Sequence, residues 1–409
     1  MGGDRTHSAC MTDAVRQFRC VPYKELCEGE RPLTSEERRE GRYQRRKAAR
    51  RRRVEARNKS FEEVFSFRNL YSGYLRSRKG VMWKASTQTY KANALPNVRK
   101  AQKELQEGRW KSKGFCYFDL YDRGKLRHIR SVHISERVVQ HTLCDELLTP
   151  TITPSLIYDN SGSLKDRGMD FALRRCRRHL TEAVREHGRD NLHVLLYDFK
   201  GYFDNIDHDE AMRLVEKYVT DPRCLALIRQ LIDDFGPVGV GLGSQVSQTI
   251  ATAVPNRIDH HFKEKLRVRW YGRYMDDGYA ISESREFLEY CLDQLRELCK
   301  ALNIPLNEKK TRIVEVRKGF VFLKMRFHVT ESGHIVQRVS RKTIVRERRK
   351  IKKLFGLYRA GRITLENIDT TMASINGHLK RADSFNARKN LEVLYLNQLQ
   401  IPMPMKEAA

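Results

Sequence analysis

The chain has 409 residues, which is long enough to bury a large core divided among two or three subdomains. Its 79 Lys and Arg against 51 Asp and Glu give a formal net charge of +28, which favours a polyanionic partner such as nucleic acid over a neutral one. No apolar run approaches the ~20 residues of a membrane span, the polar start resembles no secretory signal, and the nine cysteines include no C-x-x-C pair; we therefore expect a cytoplasmic protein with reduced thiols and no membrane partner.

The first 60 residues are predicted to form a basic extension that is loosely ordered over residues 1–35. Between Arg38 and Arg57 the sequence has eleven Lys or Arg and only two Glu. This run contains helix-forming residues but too few apolar ones for a core helix, so it is either a solvated helix or a disordered arm. Such runs are typical of nucleic-acid-binding arms. The candidate contact residues are Arg50, Arg51, Arg52 and Arg53.

Two later segments place carboxylates at the ends of predicted strands. The apolar run from His193 ends abruptly at Asp198, as a buried strand does when it presents a carboxylate at its tip. Residues 269–281 predict a strand, a tight turn with Asp276 and Asp277, and a second strand. A plain surface turn is the alternative, because Asp-Gly is a common turn dipeptide. The nearby Asp204, Asp207 and Asp209 are predicted to be turn and helix-cap residues.

Adjacent carboxylates repel each other unless a cation neutralises them. Mg²⁺ prefers oxygen ligands of this kind. If the two segments are neighbours in one sheet, Asp198, Asp276 and Asp277 would bind two Mg²⁺ ions, or Mn²⁺ in their place, about 3.5–4 Å apart. Polymerases and nucleases use this arrangement to activate a hydroxyl and to stabilise the leaving group.

The C-terminal segment is predicted to be helical and basic. From Arg338 to Arg362 there are eleven Lys or Arg against one Glu. Apolar residues recur there at helical spacing, which indicates one amphipathic helix with a basic outer face. Residues 363–399 suggest further helices. The candidate nucleic-acid contacts on the basic face are Arg348, Arg349, Lys350, Lys352 and Lys353.

Tyr274-Met275-Asp276-Asp277, following a strand that ends in Asp198, resembles the palm of a reverse transcriptase. Other segments resemble further parts of that family and occur in the family's order. They are Lys125-Leu126-Arg127-His128-Ile129, Arg137-Val138-Val139-Gln140, Gly241-Leu242-Gly243-Ser244-Gln245-Val246-Ser247-Gln248, Leu306-Asn307-Glu308-Lys309-Lys310-Thr311 and Gly319-Phe320-Val321-Phe322-Leu323. The resemblance implies an α+β fold of the right-hand polymerase type, with an antiparallel palm sheet and helices. It places fingers at residues 61–190, the palm at 191–335 and a helical basic thumb at 336–409.

The resemblance also implies roles for individual residues. Lys125 and Arg127 would neutralise the triphosphate, unless they only form a solvated face. Phe203, five residues beyond Asp198, would clash with a 2′-hydroxyl and so select deoxynucleotides. Lys310 would donate a proton to the pyrophosphate. The remaining implied contacts are the Phe199 carbonyl with a metal ion, Leu242, Gly243 and Gln248 with the incoming nucleotide, and Phe322, Leu323 and Lys324 with the primer end.

Two departures from the commonest family pattern bear on the biological role. Leu242 stands where a Gln usually precedes the glycine, and Ser247-Gln248 replaces a Ser-Pro pair. That variant resembles diversity-generating retroelement enzymes and antiphage or prophage-borne bacterial reverse transcriptases. In addition, Lys324 follows Leu323 where a glycine is common. Because both sites lie near the base pair and the primer end, the resemblance puts ordinary fidelity and primer handling in doubt.

The sequence therefore favours an RNA-directed DNA polymerase that uses dNTPs to copy a template RNA, or a structured non-coding RNA, into DNA. Antiphage defence is preferred to diversity generation as its role. A template-independent polymerase, an RNA-copying polymerase and a non-catalytic RNA-binding protein stay open. The intact Asp198, Asp276 and Asp277 argue against the last of these, and Phe203 argues against RNA synthesis.

Overall fold

The structure is a computed structural model that describes residues 34–122 and 125–400. Loose order is predicted for residues 1–35; residues 1–33 lie outside the described range, whereas Thr34 and Ser35 begin a helix. The chain divides into two compact units, with the boundary after Ala56. No helix in the described ranges combines the length and the apolar character needed to cross a membrane.

The described part of the first unit is one helix, α1 (Ser35–Glu55). Its N-terminus is a capping box: Thr34 Oγ1 accepts a hydrogen bond from the Glu37 N–H, and Glu37 Oε2 accepts one from the Thr34 N–H. No residue of this helix is buried. The segment is thus a solvated helix, one of the two forms that the sequence predicts.

The second unit begins with a helical layer and a β-hairpin. Phe65, Leu70 and Tyr74 are buried in this layer, so folding resumes at the aromatic residues after the basic run. The elements are α2 (Phe61–Val64), α3 (Phe67–Ser77), α4 (Ala85–Ala92), α5 (Ala94–Gln106), the antiparallel pair β1 (Phe115–Asp122) and β2 (Lys125–Val132), then α6 (Ile134–Leu143), α7 (Thr149–Ile152) and α8 (Met169–His187).

The centre of the unit is a four-stranded antiparallel sheet. Its strands are β3 (His193–Asp198), β4 (Trp270–Tyr274), β5 (Asp277–Ser282) and β6 (Arg312–Glu315), in the order β4-β5-β3-β6. The strand β3 is internal and buried from Val194 onward, which explains its uninterrupted apolar sequence. Leu173 and Leu180 of α8 belong to the same buried cluster as Trp270 and Ile281 of the sheet.

Helices connect these strands, and the first of them begins at a cap that the sequence predicts. Asp207 caps the first of them, because its Oδ1 accepts a hydrogen bond from the Glu210 N–H at 2.9 Å. Asp204 lies in the short turn before that helix. The connecting helices are α9 (His208–Val215), α10 (Pro222–Asp233), α11 (Gln245–Ala253), α12 (Asn256–His260) and α13 (Arg285–Ala301).

A small sheet and three helices complete the unit. The sheet consists of β7 (Phe320–Phe322), β8 (Met325–Val329) and β9 (Ile335–Val339), and the helices are α14 (Arg341–Arg359), α15 (Leu365–Leu379) and α16 (Phe385–Leu399). Ile351 and Phe355 are buried in a separate apolar cluster with Ile368 and Leu391. The predicted amphipathic basic helix is therefore α14.

The α+β class, with antiparallel sheets and helices, is confirmed. The limits of fingers, palm and thumb stay predictions. The expected limit at residue 335 falls at the first residue of β9, and α14 begins six residues later at Arg341.

Candidate active site

The three predicted catalytic aspartates lie on neighbouring strands of the central sheet. Asp198 ends β3, and its Cα is paired with that of Asp277, the first residue of β5. Asp276 lies in the β4–β5 turn, and its carbonyl oxygen accepts a hydrogen bond from the Phe199 N–H at 3.2 Å. The predicted adjacency of the two strands is confirmed, so the carboxylates share one end of the sheet.

Two side chains from the segment after α13 hold the Asp198 carboxylate, which is 5% exposed. Lys310 Nζ lies 2.7 Å from Asp198 Oδ2, and Asn307 Nδ2 donates to the same oxygen at 2.8 Å. The Asn307 N–H also donates to the Asp198 carbonyl oxygen. Burial opposes the charge on Lys310, but the hydrogen bond to Asp198 and the nearby carboxylates prevail and raise its pKa. Sequence reasoning missed the role of Asn307, although this residue lies only three positions before Lys310.

The crowding of carboxylates is visible in the acidity of Asp277. Burial, the charge of Asp276 and the charge of Asp198 together raise the pKa of Asp277 from 3.8 to about 7. Lys310 acts in the opposite direction but does not compensate. A cation bound among these groups would remove the penalty for ionising Asp277.

A buried ion pair supports the β4–β5 turn, and sequence reasoning missed it. Arg273 Nη2 lies 2.7 Å from Asp259 Oδ2, and both side chains are fully buried. Arg273 Nη1 also donates to the carbonyl oxygen of Met275 in the turn at 2.8 Å. An Arg within a strand that is predicted to be buried requires a buried acid, and this requirement is the signal that could have revealed the pair.

The first residue of the turn is fixed by packing. Met275 has φ +53°, which is unusual for a residue other than glycine. Its Sδ lies 3.4 Å from Thr252 Oγ1 and 3.7 Å from Ser163 Oγ. A Cβ on Gly162 would lie 2.5 Å from the same sulfur, so only glycine leaves room for this side chain. The contacts of Met275 therefore stabilise a backbone conformation that has an intrinsic cost.

A cleft of about 350 Å³ adjoins the turn and contains two of the predicted nucleotide contacts. Gly243 and Gln248 line it, and Ser163 connects it with Met275. Leu242 is half-buried and is not one of the lining residues. Phe203 is also half-buried, and its carbonyl oxygen accepts a hydrogen bond from the Val240 N–H, which ties the Asp198 loop to the glycine loop.

The glycine loop passes against the β1–β2 hairpin. Gly243 has φ +115°, and a Cβ there would lie 2.9 Å from the carbonyl oxygen of Arg130 in β2. Lys125 and Arg127 belong to the same strand, at register positions opposite Asp122 and Leu120. Their contact with a triphosphate stays a prediction.

The three predicted primer-grip residues surround the β7–β8 turn. Phe322 is buried, with its ring centroid 5.0 Å from that of Tyr279 in the central sheet. Leu323 (φ +47°) and Lys324 (φ +65°) form the turn, and the first is buried whereas the second is exposed. Turns with positive φ at both positions favour glycine, so the departure seen at Lys324 has a conformational cost.

The predicted nucleic-acid contacts lie on solvent-exposed surfaces. On α14, Ile351 and Phe355 are buried, whereas the predicted basic contacts are exposed. All nine side chains are exposed, namely Arg50, Arg51, Arg52 and Arg53 on α1 and Arg348, Arg349, Lys350, Lys352 and Lys353 on α14. Exposure is necessary for phosphate contact, but binding itself stays a prediction.

The donor chemistry at Asp198, Asp276 and Asp277 fits a hard divalent ion, because carboxylate oxygens are the ligands that Mg²⁺ and Mn²⁺ prefer. Within residues 34–122 and 125–400, no group of three or more Asp, Glu, His or Cys side chains lies close enough together to hold a metal ion. Lys310 and Asn307 engage Asp198 Oδ2 instead. A divalent ion would therefore compete with Lys310 for this oxygen.

Comparison with known proteins agrees with this geometry. Residues 111–332 match the family described as "Reverse transcriptase (RNA-dependent DNA polymerase)". The chain is similar to Protein YkfC of Escherichia coli (strain K12), with 24% identity over 246 residues that make up 49% of this chain and 62% of YkfC.

Two solved telomerase structures were also found to be similar. The telomerase of Candida albicans, in complex with a fragment of telomeric RNA, has a TM-score of 0.45 and 12% identity, and the match covers 77% of this chain and 60% of that one. A truncated apo telomerase of Candida tropicalis has a TM-score of 0.43 and 12% identity, with 54% of each chain covered.

The family match spans more than half of the chain and includes the aspartate strand, the glycine loop, the Asp-Asp turn and the β7–β8 turn. The chain therefore belongs to the reverse transcriptase (RNA-dependent DNA polymerase) family.

Proposed function

We propose that the protein is an RNA-directed DNA polymerase that adds dNTPs to a primer on an RNA template. The observation that carries this proposal is the pairing of Asp198 with Asp277, beside Asp276 and Lys310, in a chain of this family. A non-catalytic RNA-binding protein would have no need for a carboxylate cluster in which burial and the charges of Asp276 and Asp198 raise the pKa of Asp277.

The proposed cofactor is a pair of Mg²⁺ ions held by Asp198, Asp276, Asp277 and the carbonyl oxygen of Phe199. Bound divalent ions of this kind supply activation of the primer hydroxyl and neutralisation of charge on the triphosphate. Asp277 must lose its proton to act as a ligand, and its raised pKa makes this step dependent on pH.

Lys310 has two proposed tasks. In the structure its ammonium neutralises Asp198. Once a cation takes over that task, the Nζ is free to turn toward the leaving pyrophosphate and to donate a proton to it. A lysine ammonium keeps its proton at neutral pH even without the rise in pKa that Asp198 causes, as a general acid requires.

The cleft lined by Gly243 and Gln248 is the proposed position of the new base pair. The half-buried Phe203 follows Asp198 in the chain and is the proposed barrier to a 2′-hydroxyl, which would restrict the enzyme to dNTPs. Leu242 lacks the amide of the Gln that is common in the family, so we propose looser base selection.

The proposed grip on nucleic acid is electrostatic. The basic face of α14 would hold the backbone of the RNA–DNA duplex, and α1 would bind structured RNA outside the cleft. Both contacts read charge and shape rather than sequence, so affinity should fall with rising salt.

For the biological role we propose bacterial antiphage defence, in the cytoplasm. The support is the Leu242 and Ser247-Gln248 variant of the glycine loop, which resembles such systems. Diversity-generating retroelements share this variant and are the alternative role. The chain spans 62% of the length of YkfC, so activity, template and partners of the whole protein belong to this proposal.

The test is to purify the protein, sequence any RNA that co-purifies, and then add dNTPs and Mg²⁺ and sequence the product. We expect DNA complementary to a bound or supplied RNA, and no product after chelation of the metal or RNase pretreatment. DNA of random sequence that forms without RNA would show template-independent synthesis instead, and RNA binding without any synthesis would overturn the enzyme assignment.

A further inference from the structure

The helical layer at the start of the second unit is strongly basic. Residues 64–103, which include α3, α4 and α5 up to Lys103, contain nine Lys or Arg and no Asp or Glu, and Glu104 follows in α5. Six of these cations are exposed, namely Arg68, Lys79, Lys91, Arg99, Lys100 and Lys103. A solvated helix face usually mixes both signs, so forty residues without one acid indicate a surface selected for a polyanion.

An exposed tryptophan lies within this basic layer. The Trp83 side chain is 74% exposed, whereas Trp110 and Trp270 are buried at 9% and 4%. Lys84 Nζ lies 5.5 Å from the centroid of the Trp83 ring. Cations around an exposed aromatic ring are the combination that binds single-stranded nucleic acid, because the bases stack on the ring and the cations contact the phosphates.

The loop that carries Trp83 is held in place before any ligand binds. Two backbone hydrogen bonds close its turns, from the Val81 N–H to the Arg78 carbonyl oxygen and from the Lys84 N–H to the Val81 carbonyl oxygen. The side chain of Gln88 in α4 donates to the Met82 carbonyl oxygen at 3.2 Å. A preorganised loop loses less entropy on binding, which favours a specific contact over chance exposure.

The loop that carries Trp83 is connected to the cleft through the end of α3. It follows α3, and in the last turn of α3 Arg76 Nε lies 2.7 Å from Asp145 Oδ2. Asp145 lines the cleft together with Gly243 and Gln248. In contrast to Arg76, neither Arg78 nor Lys79 makes an ion pair with an acid of the described chain. A strand that leads into the cleft could therefore continue onto this surface.

We propose that the Trp83 surface, meaning the loop 78–84 with the basic sides of α4 and α5, binds single-stranded nucleic acid. Trp83 stacks on a base, and Arg78, Lys79 and Lys84 neutralise the neighbouring phosphates. The occupant is RNA outside the cleft; this identification rests on the proposed function, whereas the stacking site itself does not.

Tryptophan fluorescence tests this proposal, because Trp83 is the exposed member of the three tryptophans. Oligo(rU) should quench the emission saturably, and the quenching should vanish in Trp83→Phe. In a separate binding assay with labelled oligo(rU), Trp83→Ala should weaken the affinity about tenfold, whereas Trp83→Phe, which keeps an aromatic ring, should stay within about threefold. Tyr290→Ala is the matched control, since Tyr290 is 53% exposed on α13, and it should leave binding unchanged.

A base-free polyanion separates stacking from charge. Trp83→Ala should bind inorganic polyphosphate as tightly as the parent protein. The double variant Arg78→Gln, Lys79→Gln should bind both polyphosphate and oligo(rU) more weakly, and its affinity for RNA should depend less steeply on salt. Unquenched Trp83 at saturating RNA, or an unchanged affinity of Trp83→Ala for oligo(rU), would overturn the stacking site. Tighter binding of oligo(dT) than of oligo(rU) would overturn the RNA assignment.

These measurements need no catalysis, so they separate this proposal from the proposed function. Quenching by RNA in a protein that extends no primer would support the Trp83 surface and refute the polymerase. Conversely, RNA-templated synthesis without any change at Trp83 would refute the surface and leave the polymerase intact.

Discussion

The two hairpins of the candidate active site, β4–β5 and β7–β8, solve the same conformational problem in different ways. Both have two-residue turns in which residues other than glycine take positive φ, Met275 in the first and Leu323 with Lys324 in the second. In β4–β5 the Met275 side chain is enclosed and its carbonyl oxygen is held by the buried Arg273. In β7–β8 Leu323 is buried, but Lys324 is exposed to solvent.

The difference indicates which turn the fold specifies more rigidly. The β4–β5 turn carries Asp276 and is constrained by a buried ion pair, a fitted side chain and a neighbouring glycine. In the β7–β8 turn Leu323 is buried and Lys324 is exposed. A rigid β4–β5 turn is what the proposed metal-ligand role of Asp276 requires.

Breaking the Arg273–Asp259 ion pair beneath the β4–β5 turn should have the largest effect on the difference between the two turns. Arg273→Met leaves the Asp259 carboxylate buried and unpaired, and should lower the free energy of unfolding by about 3–5 kcal/mol. Urea unfolding followed by circular dichroism measures this change.

The matched control for Arg273→Met is the double variant Arg273→Met, Asp259→Leu. It removes both charges and should recover most of the stability, yet not the primer extension, because the Met275 carbonyl oxygen has lost its donor. Full activity of a stable double variant would contradict the positioning role of Arg273.

Asp277 offers a pH-dependent test of the carboxylate cluster. Its pKa in the folded protein, about 7, lies above the ordinary value of 3.8, so the folded state retains a proton that the unfolded state loses. Its unfavourable contribution therefore begins near pH 4, grows as the pH rises and is complete above about pH 7. Without divalent ions, Asp277→Asn should stabilise the protein by about 1–3 kcal/mol at pH 8 and by less at pH 5.

The measurement for Asp277 is a series of urea unfolding curves between pH 5 and pH 8, with and without Mg²⁺. Saturating Mg²⁺ should remove the advantage of Asp277→Asn, because the ion neutralises the cluster only when the carboxylates are ionised. If Asp277→Asn stabilises the protein equally at every pH, the neighbouring carboxylates do not raise the pKa of Asp277.

Gly162 tests the enclosure of Met275. A Cβ in Gly162→Ala would meet Met275 Sδ at 2.5 Å, so we expect a loss of about 1–3 kcal/mol from overpacking and a lower rate of primer extension. Gly377→Ala in α15 is the control, since nothing lies within 4 Å of the added carbon. That variant should be neutral or slightly stabilising, and equal losses in both variants would refute the enclosure.

Substitutions in the β7–β8 turn are expected to have the smallest effect on stability. Lys324→Gly removes the cost of positive φ and should stabilise the protein by about 0.5–1 kcal/mol. Leu323→Gly should instead be destabilising, because it deletes a buried side chain. Thermal unfolding of the two variants decides, and destabilisation by Lys324→Gly would show that the lysine side chain stabilises the turn.

The sequence predicts those elements whose residues follow a pattern over a few neighbouring positions. The apolar run before Asp198 and the strand-turn-strand around Asp276 could be recognised because periodicity and turn chemistry act over a few residues. The family's motif order then connected these segments. The basic helix α14 was predictable for the same reason, since its apolar residues recur at helical spacing.

What the sequence could not provide is contact between distant segments. Asp259 pairs with Arg273 across a helix and a strand, and Gly162 encloses Met275 from more than a hundred residues away. Asn307 meets Asp198 only because β3 and the segment after α13 are adjacent in the fold. A local pattern can indicate that a partner is required, as it does for Arg273, but it does not identify the partner. A single exposed aromatic residue such as Trp83 leaves no periodic signal.

The central claim is that Asp198, Asp276 and Asp277 form one divalent-ion site that performs nucleotidyl transfer. The most direct measurement is primer extension on a defined RNA template across a Mg²⁺ titration, comparing the parent protein with Asp276→Asn and recording the RNA affinity of both. We expect the variant to fold and to bind RNA as the parent does, but to extend no primer at any Mg²⁺ concentration. Substantial Mg²⁺-dependent synthesis by Asp276→Asn would contradict the claim.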